Sequence, residues 1–446
     1  MRSTFTLFVA ASFVATAGAV RADDWPQWLG PKRDSVWRET GLIEKFPPGG
    51  PPVVWRKPIA HGFAGPAVAD GRVFVIDYES QGDQTPIPGV RKKLTGKERV
   101  LCFDARTGQD KWKYEYACDY SVSYQGGPRC TPTVGGDKVY TLGTMGHLAC
   151  VDVATGRPVW TKELTNEYKT ETPMWGFAGH PLVDGKKLVC LVGGDGSVVV
   201  AFDKDTGKEL WKALSAKEPG YAAPSIVDGG GIRQLIVFSA ESVNGLDPET
   251  GKVYWTIEME PYGGMSIQAP RNSGDYLFAS AVGNKSALLK LAHDKPAVTV
   301  VWPADPKQGS DAKKSVYPVN APPFVDDGVI YGNDGSGAFM AVDLMTGDRL
   351  WETFEPTGRK KGDNNATVFQ VKNGDRFVMF NEAGELILAK LDRQGYHEIS
   401  RAKIIEPTGK TWKDRPIVWS HPAFAHKCVY ARNDKEIVCV SLAAGK

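Results

Sequence analysis

Several chemistries are excluded by what this chain does not contain. No two of its cysteines are adjacent, and neither Cys-x-x-Cys nor Cys-x-x-Cys-His occurs. Zinc ribbons and c-type haem attachment are therefore not written here. His-x-His and His-x-x-x-His are missing too, so no local pair of metal-ligating histidines exists. The charge is nearly balanced, 54 basic against 52 acidic residues, without the clustered positive excess of a nucleic-acid surface. No nucleophile or acid–base motif of a hydrolase or lyase is present. Beyond the N-terminus, no apolar run is long enough to cross a bilayer.

The N-terminus is different. Arg2 gives a positive start, Phe5 to Val20 is apolar and rich in small residues, and Val20-Arg21-Ala22 precedes Asp23-Asp24. This pattern predicts a secretory signal peptide over residues 1–22 and an exported mature chain, periplasmic or secreted. No cysteine stands at the cleavage site, which argues against a lipid anchor. Seven cysteines leave at least one thiol unpaired. Cys428 with Cys439, and Cys118 with Cys130, are candidate disulfides, since export permits them. Buried free thiols in strands are the alternative.

What the chain does contain is a repeated phrase: a hydrophobic residue, Asp, two variable residues, Thr-Gly, three residues, Trp. It runs from Phe103 to Trp112, Val151 to Trp160, Phe202 to Trp211, Leu246 to Trp255 and Val342 to Trp351. Trp302 falls at the same spacing without Asp-Thr-Gly before it. A second phrase precedes each copy: Pro or its equivalent, Val, a Gly turn and a strand, as in Gly65 to Asp77. Each unit reads as four short strands, with Asp-x-x-Thr-Gly as the tight turn between the last two. Four-stranded units at this period are propeller blades.

Eight units are counted, and the eighth, from His421, supplies three strands. Val53-Val54-Trp55 stands unpaired before the first unit. The predicted fold is an all-β, eight-bladed β-propeller of four-stranded antiparallel blades over residues 53–446. Its N-terminal strand joins the C-terminal blade, and residues 23–52 form a leader segment. Closure removes sheet edges. Trp55, Trp112, Trp160, Trp211, Trp255, Trp302 and Trp351 are expected to pack between blades as structural residues. Units five and seven lack parts of the phrase, and their junctions are expected to be less regular.

The phrase closely resembles the tryptophan-docking motif of the pyrroloquinoline-quinone (PQQ) repeat, and the likeness covers residues 53–446. That repeat builds the eight-bladed quinoprotein alcohol dehydrogenase-like propellers. The segment Asp24 to Asp34 is similar to the start of exported bacterial PQQ-like propeller proteins. The resemblance implies one of two classes: PQQ- and calcium-dependent alcohol or sugar dehydrogenases, or cofactor-free scaffolds such as the lipoprotein BamB. The alcohol-oxidising members carry two adjacent cysteines, which this chain lacks, and BamB carries a lipidated cysteine, also lacking here. No catalytic, calcium-binding or quinone-stacking residue can be carried over. The expectation is a non-catalytic binding or scaffold protein, with a PQQ-dependent oxidoreductase of divergent site as the alternative. Its partner would be an envelope protein or a small polar or anionic ligand. The chain is expected to act as a monomer.

In such a ring the loops that lead into each first strand gather on one face around the channel, where variable loops on a rigid frame bind ligands. The residues at those positions are His61, Arg129, His180 and Tyr221 in the first half, and Gln268, Asn320, Asn365 and His421 in the second. Trp175 lies nearby. Arg129 could pair with a carboxylate, and Trp175 could stack on a flat ring. Polar walls of a water-filled channel are the structural alternative. Glu79 to Arg99, between the second and third strands of the first unit, is predicted to be a long loop overhanging the same face.

Overall fold

Inner strands are buried along their length because their sheets are packed on both faces, and burial alternates in outer strands such as Asp110–Ala117 and Pro158–Glu163 at the rim. A computed structural model of the protein describes residues 24–87 and 89–445; the predicted signal peptide lies outside the described residues. Eight four-stranded antiparallel sheets form the molecule, and they are the predicted blades. Blade 1 comprises Ala67–Ala69, Arg72–Ser80, Gly96–Asp104 and Asp110–Ala117. Its inner three residues are buried, while its outermost strand alternates exposed and half-buried positions. Blade 8 takes three strands from the C-terminus and its outer one from Val53–Pro58. There Trp55 faces Cys439 and Arg56 faces Val438, so the two ends of the chain share one sheet.

The repeated phrase works at each junction by a common geometry. Asp104 Oδ1 accepts hydrogen bonds from the Arg106 and Thr107 amides and from the Thr107 hydroxyl. Gly108 then turns with φ +70, in the left-handed region where glycine is unstrained. The indole of Trp55, from the preceding blade, lies on that turn. A Cβ on Gly108 would stand 2.8 Å from the ring, and Trp55 Nε1 donates to the Ala105 carbonyl at 2.9 Å. Trp112 repeats this on Val153, Trp160 on Lys204 and Trp302 on Leu344. Burying a ring of this size stabilises a junction by a few kcal/mol at ~25 cal/mol per Å².

The departures have local causes. Unit five has no Asp-Thr-Gly turn, and Trp255 instead donates to Gln234 Oε1 within its own blade, at 2.7 Å. Unit seven lacks Thr, yet Asp392 Oδ1 still accepts from Gln394 and Gly395, and Trp351 Nε1 reaches the Asp392 carbonyl at 2.9 Å. The irregularity expected there is absent on the side facing unit six, because the aspartate alone shapes the turn. Trp211 packs on Gly251 but its Nε1 has no partner. All seven cysteines are free; Cys428 stands opposite Ser441 and Cys439 opposite Tyr430, which makes the two cysteines diagonal neighbours with their thiols in contact but not bonded.

The leader is part of the fold. It crosses the face that carries the first turn of each blade and closes the central channel. Trp25 pairs with Val68 of blade 1, and the Pro26 carbonyl accepts from Val134 of blade 2. The buried Arg33 guanidinium donates to the carbonyls of Pro181 and Pro224 in blades 3 and 4. Arg271 of blade 5 returns hydrogen bonds to the Arg33 and Asp34 carbonyls. Val36 bridges Lys372 of blade 7, and Leu42 bridges Ala443. Trp25 and Trp37 both pack on Phe424, ring centroids 5.3 and 5.4 Å away.

The long loop of blade 1 is shorter than its sequence suggests, because the strands extend to Ser80 and resume at Gly96. Between them, Lys92–Leu94 pairs with Tyr120–Val122. Gln125 Nε2 and Ser123 Oγ anchor the rest through the carbonyls of Thr85 and Ile87. The segment is thus tied down on the open face.

Candidate functional site

With the leader across one side, the channel becomes a cup open on the loop face. Its cavity is about 370 Å³, at the small end for ligand pockets. Eight of the positions singled out from sequence line it: Arg129, Trp175, His180 and Tyr221, then Gln268, Asn320, Asn365 and His421. His61 stands apart. Its carbonyl accepts from the Tyr78 amide, and its imidazole lies 3.9 Å from Asp434 behind the blade 8–blade 1 junction. The structure adds residues that no spacing marked. Trp28 comes from the leader and forms part of the base, stacked on His180 at 4.7 Å and 12°. Trp412, on the Gly409–Lys410/Pro416–Ile417 hairpin, stands at the rim with half its surface exposed.

Two histidines in the wall have opposite polarity. His180 Nδ1 accepts from the Thr131 amide at 2.9 Å, so its proton sits on Nε2. His421 Nδ1 lies 2.7 Å from the Pro422 carbonyl and must donate to it, which leaves Nε2 as a bare acceptor. That Nε2 is buried and has no partner among the described residues. Burial drives the pKa of His421 down to about 4, aided by the nearby Arg271 charge. Burial also pushes His180 well below the usual imidazole range, with Arg33 acting in the same direction. Both rings are neutral at physiological pH.

Arg129 is the cation of the wall. It donates to the carbonyls of Gly127, Ser123 and Tyr124 in its own loop and lies over the Phe63 ring, 5.3 Å from its centroid. It makes no ion pair among the described residues. Burial lowers its pKa, opposed by the fields of Tyr120 and Glu98. A half-buried guanidinium with only carbonyl partners is costly, and an anion in the cavity would offset that cost.

Several amide ends are open. Gln268 Nε2 donates to the Val319 carbonyl and Asn320 Nδ2 to Thr367 Oγ1, leaving their oxygens available. The Asn365 side chain makes no hydrogen bond among the described residues. Asn365 and Tyr124 both line the cavity with positive φ, +61 and +54. Such backbone strain gathers at ligand sites. Tyr124 stacks near Trp419, centroids 6.2 Å apart, and Trp175 meets Tyr221 edge to face at 5.8 Å. Trp419 Nε1 donates to Glu382, which Arg359 and Arg415 hold behind the wall.

A quinone with calcium does not suit this wall. Calcium wants six to eight oxygen ligands, mostly carboxylate, and the lining contains neither Asp nor Glu. No cluster of three or more His, Cys, Asp or Glu suited to a metal ion occurs among the described residues. What the cavity offers instead is aromatic faces, a cation, and mixed donors and acceptors. No helix among the described residues is long and apolar enough to cross a membrane.

Known proteins of the same kind divide along these lines. Outer membrane protein assembly factor BamB of Yersinia pestis is 22% identical over 267 residues, 58% of this chain and 64% of the relative. Quinohemoprotein alcohol dehydrogenase ADH IIB of Pseudomonas putida is 31% identical over 125 residues, 26% of this chain and 17% of the relative. Both alignments thus span less than two thirds of the relative's length. The crystal structure of quinohemoprotein alcohol dehydrogenase from Comamonas testosteroni superposes with a TM-score of 0.60 at 15% identity. That superposition covers 96% of this chain and 82% of the other, a likeness of fold alone. A family model described as outer membrane protein assembly factor BamB matches residues 96–353 and 239–446. With its closed ring of eight blades and its docking repeats, the chain belongs to that PQQ-repeat family.

Proposed function

We propose that this protein is an exported, non-catalytic binding propeller that takes a small polar, anionic ligand into its loop-face cavity. The observation that supports this most is Arg129, a half-buried cation in a wall that holds no carboxylate. Trp175 and Trp419 supply flat faces, and the amide and imidazole groups fix orientation. The name of the BamB relatives favours a setting in the cell envelope. The dehydrogenase relatives favour the alternative of a PQQ-dependent oxidoreductase, against which the carboxylate-free lining speaks.

Titrating the purified protein with a panel of small carboxylates while following tryptophan fluorescence tests the reading. Saturable quenching is expected, weakened at least tenfold by Trp175→Ala. Appearance of bound-quinone absorbance with PQQ and calcium, together with dye reduction on alcohols or sugars, would replace it with the oxidoreductase.

A second reading, docking of an envelope protein, draws on apolar side chains around the mouth. Ile87 and Val90 of the blade 1 segment, Tyr262 and Trp412 are all exposed. Capture from an envelope extract by the wild type, lost when residues 81–95 are replaced by a short turn, is the outcome that favours it.

A further inference from the structure

The cavity's hydrogen-bonding pattern selects a narrower ligand than an anion alone. A flat quinone or a simple aromatic acid carries acceptors on its rim. It would satisfy Arg129 and the His180 Nε2–H but leave His421 Nε2 without a donor. That atom is buried, unpartnered and fixed as an acceptor by the Pro422 carbonyl on the other nitrogen. Gln268 and Asn320 each keep a free amide oxygen together with one remaining N–H, since only one of the two hydrogens on each amide nitrogen is engaged. An occupant must therefore bring at least one donor for His421 Nε2 as well as acceptors for the N–H groups, and groups that do both suit the amides. A hydroxyl is both at once.

The walls set the rest. Apolar ring faces at Trp175, Trp412 and Trp419 call for an occupant with an apolar face of its own. Planar amides and imidazoles at the edge call for groups spread around that ring's circumference. Arg129 calls for one negative charge, such as a carboxylate that takes the N–H groups left over by the Gly127, Ser123 and Tyr124 carbonyls. A ring with apolar faces, a girdle of hydroxyls and one carboxylate is a sugar acid. We propose that the cavity binds a uronic-acid-bearing saccharide, one or two rings deep, with the carboxylate at Arg129 and a ring hydroxyl donating to His421 Nε2.

This rests on the binding reading above, and the experiment separates the two. The purified protein is titrated, by calorimetry and tryptophan fluorescence, with glucuronate and tetragalacturonate. Glucose and cellotetraose serve as neutral counterparts, and quinolinate as a heteroaromatic diacid without hydroxyls. The acidic saccharides are expected to bind at least tenfold tighter than the neutral ones and tighter than quinolinate. A preference for glucuronate indicates a free sugar acid, and a preference for tetragalacturonate a polysaccharide end. Both outcomes support the assignment.

Two variants keep the test independent of folding. Trp412→Ala alters only an exposed rim residue and is expected to weaken tetragalacturonate. Asn365→Asp keeps a residue that tolerates positive φ and adds a negative charge to the wall. It is expected to weaken the acidic saccharides at least tenfold more than the neutral ones. Equal affinity for acidic and neutral saccharides overturns the proposal. So does unchanged uronate binding in Asn365→Asp. Tight quinolinate binding without uronate binding overturns the saccharide while leaving a binding cavity in place. Failure of every ligand removes both.

Discussion

A single hydrogen bond separates residues that look identical in the repeat. Trp112 and Trp211 occupy the same position in their phrases, yet Trp112 Nε1 reaches the Val153 carbonyl and Trp211 Nε1 has no partner. Replacement by Phe keeps the ring and removes the N–H. Trp112→Phe should therefore cost about 1 kcal/mol more than Trp211→Phe, which discards an unsatisfied donor. Urea unfolding midpoints of the two variants check the order. Gly108→Ala should cost more than about 1 kcal/mol, since its φ is left-handed and its new methyl meets Trp55. At the hub, His421 has its pKa depressed to about 4. The unfolded chain then takes up this proton first as pH falls below its ordinary 6.5. Stability contributed by the neutral ring is complete at pH 7 and is lost progressively down to about pH 4. The expected loss between pH 7 and pH 5 is about 2 kcal/mol from this residue. His421→Asn should flatten that portion of a stability–pH profile; an unchanged slope would show that His180 carries it.

Elements differ in how plainly the sequence announced them. The Asp-x-x-Thr-Gly turn is local: Asp104 bonds residues two and three places on, so its meaning is carried in a few letters. The ring of first-strand positions was also legible, because one alignment of the repeats places Arg129, Gln268 and His421 at equivalent points around an axis. The exception, His61, was displaced by its contact with Asp434, which lies in the last blade. The leader gave no such sign. Arg33 meets Pro181 and Pro224, partners far along the chain that no spacing identifies. Trp28 therefore entered the cavity unannounced. Arg33→Ala should lower stability by about 2 kcal/mol or more, because charge-assisted bonds are lost and buried carbonyls are left bare. Trp28→Ala should deepen the base of the cup and change ligand affinity, and should also lower the unfolding midpoint by the equivalent of about 3 kcal/mol, because its buried ring packs on Leu29, Ala223 and His180.

For the whole molecule, the joint between the two chain ends decides whether the circle holds. Val53–Pro58 is the outer strand of blade 8 and covers the edge of Glu436–Ser441. Removing it leaves an unpaired edge of buried apolar residues, which is a template for association. A chain beginning after Pro58 should aggregate, as seen by light scattering, whereas Trp112→Phe should stay monodisperse.

The plugged side also carries Asp24 and Ala443, near the two ends of the described residues. Asp24 caps the Asp70 amide at the first turn of blade 1, and Ala443 bridges Leu42 on the same side. Anything that fastens the ring at Asp24 or Ala443 holds it by its back, with the mouth turned outward. Immobilised through a cysteine placed at Ala443, it should keep full ligand capacity, as a bowl does when set on its foot.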